Sequence, residues 1–221
     1  RRQRQMCIRD SSTTFAMCTS LENIPANLFA NNTEVTSFEG TFSHCTSLKS
    51  IPATLFANCG KVLYLGMSKL RDDSYRGGLG VFQECESLQA IPEALFAGCP
   101  LAQDFSYAFA GCKLLTSLPG NLFKQNTKLQ QVEGTFMNCK ALTSIPTGLF
   151  DNNRKLMNVG WTFSQSPNIE GESPYTLIEG KKVHLYERGN YPTEFIALQE
   201  YQRCFNQCTK LTDYAAIPES W

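Results

Sequence analysis

The sequence lacks the features on which most membrane, nucleic-acid and enzyme assignments rest. No apolar stretch approaches the roughly 20 residues needed to span a bilayer, and the first residues lack the apolar core of a signal peptide. Lysine plus arginine and aspartate plus glutamate both number 20, so no overall basic field attracts nucleic acid. The chain has no phosphate-binding loop, dinucleotide fingerprint or His-Glu-x-x-His motif. These absences disfavour a membrane-spanning protein, a nucleic-acid binder and the common nucleotide- or zinc-dependent enzymes.

Histidine is scarce, and this limits the chemistry of nucleophilic catalysis. Only His44 and His184 are present, so any Ser-His-Asp or Cys-His arrangement must use one of them. His44 lies beside Cys45 in a predicted turn, and His184 alternates with Val183 and Leu185 in a predicted hairpin. No Cys-x-x-Cys pairs face each other as zinc ligands would. We therefore predict no catalytic residue, no metal site and no cofactor.

What the sequence does contain is an internal repeat anchored on Phe-x-x-Cys. Successive phenylalanines are 27, 40, 27, 27, 27 and 42 residues apart, which gives a period of 27 broken by insertions of 13 and 15. A fixed period of this size indicates a stack of like units rather than a spherical core. The anchor pairs are Phe15/Cys18, Phe42/Cys45, Phe82/Cys85, Phe109/Cys112, Phe136/Cys139 and Phe205/Cys208, with Phe163/Ser166 as a degenerate copy.

Within each unit, apolar residues recur every three positions, as in Phe15, Cys18, Leu21 and Ile24, and a second half beginning at Phe29 follows the same rule. This spacing fits neither an amphipathic helix nor a regular strand. It is typical of the leucine-rich repeat, whose period is 20 to 29 residues. The form Phe-x-x-Cys-x-x-Leu-x-x-Ile-Pro resembles the BspA-like (Treponema-type) leucine-rich repeat surface proteins of Bacteroides-like bacteria. The resemblance covers residues 15–159 and returns at 204–218.

This resemblance implies an α/β solenoid, a right-handed coil with a parallel concave sheet and short helical turns on the convex side. The residues after Ser166, where the repeat fails, add an irregular C-terminal β-hairpin cap. We expect one domain: an N-terminal cap at 1–14, repeats at 15–166, a hairpin insertion at 167–203 and a terminal coil at 204–221. The β-branched or alternating segments predict one strand per coil. These segments are 34–41, 61–68, 103–108, 128–135 and 155–162, with a second short strand at 48–51 and its equivalents.

Proline precedes Leu-Phe in five copies, at positions suited to the first turn of a short helix. We therefore predict one helical turn at 25–30, at 52–57 and at the equivalent segments. The insertion at 69–81 is predicted to loop out, and its Asp72 and Asp73 are weak evidence for calcium because further oxygen ligands are missing. Residues 175–186 predict a hairpin around Glu179-Gly180-Lys181, read as a cap over the last coil, with a functional elaboration as the alternative.

The positions of the ten cysteines within the repeat indicate whether they form disulfides. Six of them share one repeat position, and Cys59 and Cys99 share a second position with Asn32, Asn126 and Asn153. A position that accepts cysteine or asparagine between inward-facing residues favours a small buried group that meets backbone polar atoms at a turn. We expect free, buried thiols. One or more disulfides remain the alternative, with Cys112 and Cys139 as a neighbouring pair to inspect.

The repeat register also predicts which side chains line the concave face. Glu39, Gly66, Ser106, Glu133 and Gly160 form one row, and Gly40, Met67, Tyr107, Gly134 and Trp161 form the next. Glu39 and Glu133 lie three coils apart, roughly 14 Å at 4.8 Å per strand, too far for a glycosidase pair. We interpret them as solvated. Tyr64, Tyr107 and Trp161 are candidate binding anchors, with packing between coils as the equal alternative.

From these features we predict a non-enzymatic binding module that recognises a protein or glycan through its concave face, with Tyr64, Tyr107, Trp161, Glu39 and Glu133 as ligand-binding residues. The resemblance implies adhesion at the bacterial cell surface, including anchoring as an outer-membrane lipoprotein by a lipid outside this chain. We expect a monomer that binds no nucleic acid. The alternative is a structural spacer of a larger surface protein.

Overall fold

The computed structural model describes residues 11–67 and 79–221, in which the chain winds into stacked coils. We number the coils by their first phenylalanine: coil 1 begins at Phe15, coil 2 at Phe42, coil 3 at Phe82, coil 4 at Phe109, coil 5 at Phe136, coil 6 at Phe163 and coil 7 at Phe205. One continuous apolar cluster runs through all of them. The leucine-rich type of repeat predicted from the spacing accounts for this architecture.

Around each anchor phenylalanine, amide groups alternate between two kinds of partner. At the start of coil 1, the N–H groups of Thr13, Phe15 and Met17 donate to the carbonyls of Glu39, Thr41 and Ser43, about one repeat further on, at 2.8, 2.8 and 2.7 Å. The intervening N–H groups of Ala16 and Cys18 donate three residues back, to Thr13 and Phe15. The chain therefore turns continuously while every second amide ties it to its neighbour, which satisfies the backbone without a long helix or strand.

Directly before this turning segment, the coils are joined by a column of single parallel bridges. Coils 1 to 6 each contribute one residue to this column, which we call the bridge column: Ser37, Tyr64, Asp104, Gln131, Asn158 and Glu200. Separate parallel bridges join Ser144 to Glu170 and Gly171 to Leu211. The register confirms the sequence alignment, because each bridged residue precedes the same inward-facing apolar position of the repeat. The predicted parallel arrangement is therefore present, but each expected strand is reduced to one bridged residue.

Phenylalanine rings stack along the solenoid in two columns. The anchor rings from Phe15 to Phe205 have centroids 5.4 to 5.8 Å apart and planes within 17° of parallel. A second column runs from Phe29 to Phe150 with centroids 5.8 to 6.4 Å apart. All of these rings except Phe15 are buried. Each ring contacts the rings of the coils before and after it, so the residues that define the repeat spacing also form the core.

The cysteines form a hydrogen-bonded ladder between coils. The thiol of Cys139 donates to the Phe109 carbonyl at 3.3 Å, and four further cysteines make the equivalent bond to the preceding anchor phenylalanine. In the degenerate copy the Ser166 hydroxyl makes the same bond, to Phe136 at 3.2 Å. The prediction of free thiols is confirmed for the nine described cysteines. Cys18, predicted to be buried, is exposed.

Most of the regular secondary structure of the described residues lies in the insertion after coil 6, and the rest lies in coil 7. Strands β1 (Tyr175–Ile178) and β2 (Lys181–His184) pair antiparallel, which confirms the predicted hairpin, and 3₁₀ segments follow at Leu185–Asn190 and Tyr214–Ala216. Asp213 of coil 7 fixes the hairpin in place, because its carboxylate accepts the Ser173 N–H at 3.0 Å and the Tyr186 hydroxyl at 3.3 Å. The hairpin therefore packs onto the last coil.

The prolines begin the single turns predicted for them, as where Leu28 N–H donates to the Pro25 carbonyl at 3.1 Å, and these turns do not continue as helices. The second short strand was wrong in detail: segment 48–51 forms no strand, and in its equivalent in coil 5 only Ser144 is bridged, to Glu170. The calcium hypothesis at Asp72 and Asp73, most of the 69–81 insertion and most of the proposed cap at 1–14 lie outside the described residues. Within the described part, no helix is both long and apolar enough to cross a membrane.

Candidate functional site: the bridge face

The candidate site is the surface around the bridge column, which we call the bridge face. It consists of the bridge column itself, the row two residues after each bridge and the row three residues after each bridge. The second row is Glu39, Gly66, Ser106, Glu133, Gly160 and Gln202, and the third row is Gly40, Met67, Tyr107, Gly134, Trp161 and Arg203. All five residues predicted to bind a ligand lie on this face.

Tyr107 is committed to a contact with the next coil. Its hydroxyl donates to Glu133 Oε1 at 2.9 Å, and Asn158 Nδ2 of the following coil donates to Glu133 Oε2 at 3.0 Å. Burial and then the Glu133 carboxylate raise the pKa of the Tyr107 hydroxyl far above its ordinary value. These hydrogen bonds join three successive coils. We therefore interpret Tyr107 as a residue that packs between coils.

The ring of Tyr107 lies across Gly134. A Cβ added at Gly134 would stand 2.6 Å from Tyr107 Cε1, which is closer than real contacts allow. Gly134 also has a φ of +57°, a left-handed conformation that glycine adopts without strain. The glycine in the third row of coil 4 therefore makes room for the tyrosine of coil 3.

The two carboxylates predicted to be solvated are buried. Glu39 is 8% exposed and Glu133 is 1% exposed, so that prediction was wrong. The physical reason for Glu133 is the pair of hydrogen bonds from Tyr107 and Asn158, which replace the hydrogen bonds to water that its side-chain oxygens lose on burial. The separation of three coils was predicted correctly, because three bridge steps join Ser37 to Gln131.

Trp161 differs from Tyr107 in what it contacts. Its indole is half-buried, and the guanidinium carbon of the exposed Arg203 lies 4.7 Å from the ring centroid, within the range of a cation–π contact. Arg203 occupies the equivalent third-row position of coil 6, two residues before its anchor phenylalanine. Trp161 and Arg203 thus form an adjacent aromatic and cationic pair on neighbouring coils, which we call the Trp–Arg pair.

The third row carries its bulky side chains on left-handed backbone. Tyr107, Trp161 and Arg203 have φ of +58°, +61° and +59°, close to +61° at Gly40. Left-handed backbone costs a non-glycine residue roughly 1–2 kcal/mol. Five of the six third-row residues share this conformation, so it is a property of the fold. What varies from coil to coil is the side chain placed there.

Tyr64 and Asp104 are neighbours in the bridge column. Tyr64 is half-buried, whereas Asp104 is 1% exposed and accepts the Ser106 N–H at 2.8 Å through Oδ1. Sequence reasoning missed Asp104, Asn158 and Arg203. Counting two residues back from each anchor phenylalanine identifies Arg203 as the partner of Trp161, so that signal was present in the repeat.

The two histidines do not assemble a catalytic set. His44 Nδ1 lies 2.8 Å from the buried Ser43 hydroxyl, while the adjacent Cys45 thiol donates to the Phe15 carbonyl. Burial raises the pKa of Cys45 to about 11, which disfavours a nucleophilic thiolate. His184 Nδ1 and Nε2 lie 2.9 and 3.1 Å from carboxylate oxygens of Glu187 and Glu172. Among the described residues, no cluster of three or more histidines, cysteines or carboxylates is placed to hold a metal ion.

Comparison with solved structures returned leucine-rich repeat proteins. The chain is similar to the APL1 leucine-rich repeat domain at 16% identity and a TM-score of 0.43, over 71% of this chain and 37% of that one. A leucine-rich repeat protein from Bacteroides ovatus matches at 20% identity and a TM-score of 0.30, over 74% and 40%. The chain thus spans about two fifths of the length of these two proteins. A Drosophila Toll–Spatzle complex matches at 14% identity and a TM-score of 0.31, over 86% and 27%.

Neither the protein-family models nor the curated proteins gave a match to this sequence. The solved structures share low identity and TM-scores below 0.5 with the chain. The coil-by-coil geometry of the chain itself therefore defines the fold and the candidate site.

Proposed function

We propose that this solenoid is a non-enzymatic binding module that recognises a partner protein through the bridge face, with the Trp–Arg pair as its anchor. The carrying observation is that Trp161, half-buried on an otherwise repeated framework, is held beside the exposed Arg203 at 4.7 Å. Tryptophan and arginine are the residues most enriched at binding hot spots. The stacked coils fix both backbones, so little conformational freedom is lost on binding.

Three of the other predicted anchors have internal roles, and this shifts the emphasis of the proposal. The Tyr107 hydroxyl is bonded to Glu133, and Glu39 and Glu133 are buried. Their contribution is to hold the framework, while Tyr64 remains a half-buried candidate contact. Adhesion at a bacterial surface is the setting that the repeat type suggests for such a module. We place the partner there.

The second candidate function is a structural spacer without a ligand of its own. It is favoured by one observation, that Tyr107, Glu133 and Asn158 are used in contacts between coils. The two functions differ in what they require of Trp161. A spacer needs only its packing, whereas a binding module needs its exposed edge.

The test is a binding screen of the whole chain against host-surface proteins and glycans, followed by one matched pair of variants. Trp161→Gly removes the anchor at a position where Gly40 and Gly134 show that glycine fits. Gln165→Gly is the control, because Gln165 lies four residues after Trp161 with a φ of +61° but off the bridge face, and Gly111 occupies the equivalent position of coil 4. We expect Trp161→Gly to weaken binding at least tenfold, about 1.4 kcal/mol, and Gln165→Gly to leave it unchanged.

Three results would count against the proposal. If no protein partner is found, the spacer is favoured. If a partner binds both variants equally, the anchor does not lie at Trp161. If only glycans bind, the partner class is wrong.

A further inference from the structure

The last coil ends in backbone groups that pair with a following coil everywhere else in the solenoid. At the junction of coils 6 and 7, the N–H groups of Phe163 and Gln165 donate to the carbonyls of Cys204 and Asn206, both at 2.8 Å. In the opposite direction, the Cys208 thiol donates to the Phe163 carbonyl at 3.1 Å. Two amides, one thiol and one carbonyl thus define how one coil docks on the next.

In coil 7 the corresponding groups are the N–H groups of Phe205 and Gln207 and the carbonyl of Phe205. Within the described part of the chain, neither N–H group donates to an acceptor, and no thiol reaches that carbonyl. Phe205 lines a cleft of about 410 Å³ between the turn of coil 7 and the C-terminal residues. Arg203, Asn206, Tyr214, Ile217 and Trp221 are among the other residues that line it.

Coil 1 presents the complementary set at the other end of the described solenoid. The carbonyls of Thr14 and Ala16 accept no hydrogen bond within residues 11–67 and 79–221. Cys18 is exposed, whereas the other eight described cysteines are buried. Its neighbour Met17 is 73% exposed, the highest value among the large exposed apolar residues. This end offers two acceptors and one thiol donor in the spacing that coil 7 requires.

We propose that the coil 7 end binds the coil 1 end of a second copy of this chain, head to tail. The register follows from the junction of coils 6 and 7. Phe205 and Gln207 of one copy donate to Thr14 and Ala16 of the other, and the Cys18 thiol of the second copy donates to the Phe205 carbonyl. Because the two surfaces differ, the contact is heterologous and leaves a free end on each side of the pair.

Trp221 competes with this contact. The Phe205 ring stacks on Phe163 at 5.7 Å through one face, and Trp221 stacks on Phe205 at 6.4 Å and 17°, which places the indole on the other face. Phe15 of a second copy would take that same place in the column. Docking therefore displaces the indole, and the association of the unaltered chain is weak and depends on concentration.

The test is sedimentation velocity of the whole chain across a wide concentration range under reducing conditions. We expect the unaltered chain to associate beyond a dimer at high concentration, and Trp221→Ala to lower the apparent Kd at least tenfold. Cys18→Glu is expected to abolish association in both backgrounds, because it places a carboxylate against the Phe205 carbonyl. Cys18→Ser is expected to retain it, since Ser166 makes the same bond at this position.

A control separates this contact from adhesion through a newly exposed Phe205. Leu114 is 50% exposed and belongs neither to the pairing groups of coil 1 nor to those of coil 7. Leu114→Glu is therefore expected to leave association intact. Association of Trp221→Ala that survives Cys18→Glu would overturn the proposal, as would a monomer at every concentration in both backgrounds or a closed dimer. Should Trp221→Ala fail to fold, the comparison of Cys18→Glu with the unaltered chain still decides the question.

Discussion

Arg188 continues the asparagine ladder past Asn153. Asn153 Nδ2 donates to the carbonyls of Phe123 and Asn126 at 3.1 and 3.0 Å. One coil further on, Arg188 donates to the equivalent carbonyls, from Nη2 to Phe150 at 3.0 Å and from Nη1 to Asn153 at 3.2 Å. The insertion after coil 6 therefore supplies, through an arginine, the donors that the interrupted repeat no longer provides.

The first prediction concerns the contribution of Arg188 to stability. Burial lowers the pKa of Arg188 to about 9, so holding its charge in the core carries a cost. Its charge-assisted hydrogen bonds to two carbonyls and to Thr176 Oγ1 outweigh that cost. We expect Arg188→Met to lower the free energy of unfolding by about 2 kcal/mol, as measured by urea denaturation. Arg188→Lys, which keeps the charge but not the fork of donors, is expected to recover only part of the loss. Equal stability of Arg188→Met and the unaltered chain would contradict this role.

The second prediction concerns Gly134 and Tyr107. A methyl group at Gly134 meets left-handed backbone and the Tyr107 ring at once. We expect Gly134→Ala to cost about 2–3 kcal/mol of unfolding free energy. In the Tyr107→Gly background the ring is absent. Gly134→Ala is then expected to cost only the strain of alanine in a left-handed conformation, about 1 kcal/mol. Chemical denaturation of the four chains of this double-mutant cycle measures the coupling, and strictly additive effects would show that the ring does not rest on Gly134.

The third prediction concerns pH. Burial raises the pKa of the Cys139 thiol to about 12, above that of a thiol in the unfolded chain. The folded state then holds the proton more tightly, so this contribution to stability is fully present at neutral pH and is lost as pH rises through the alkaline range. The free energy of unfolding of the unaltered chain is expected to fall between about pH 7 and pH 10. In Cys139→Ser we expect this fall to be smaller by about 2 kcal/mol.

Urea denaturation under reducing conditions at several pH values measures this difference. Cys18→Ser is the control for exchanging a thiol for a hydroxyl at this repeat position, because the Cys18 side chain is exposed. Parallel curves for Cys139→Ser and the unaltered chain would mean that the Cys139 thiol titrates alike in the folded and unfolded states.

The features that sequence reasoning predicted correctly are mostly those that depend on residues recurring in the copies of the repeat. The 27-residue period, the inward positions of Phe and Leu, the free thiols and the alignment of the bridge column all follow from residues that recur. The hairpin was predictable because Glu179-Gly180 is a local turn signal between alternating runs. Each of these depends on neighbours in sequence or on one repeat step.

What sequence reasoning missed depends on single side chains that reach another coil. The burial of Glu133 requires Tyr107 to lie across Gly134, and the role of Arg188 requires an inserted segment to fold back onto Asn153. The predicted strands are shorter than expected for a different reason. The Phe38 N–H donates to Tyr64 of the next coil, whereas the Thr41 N–H donates three residues back to Phe38, and a regular strand does not allow this alternation.

The measurement that tests the binding proposal most directly is amide hydrogen exchange of the chain with and without its captured partner. The account predicts added protection in segments 158–161 and 200–203, which carry the Trp–Arg pair, and little change at 136–139 and 163–166, which carry the cysteine ladder. Protection confined to the ladder segments, with Trp161 and Arg203 unaffected, would contradict recognition through the bridge face.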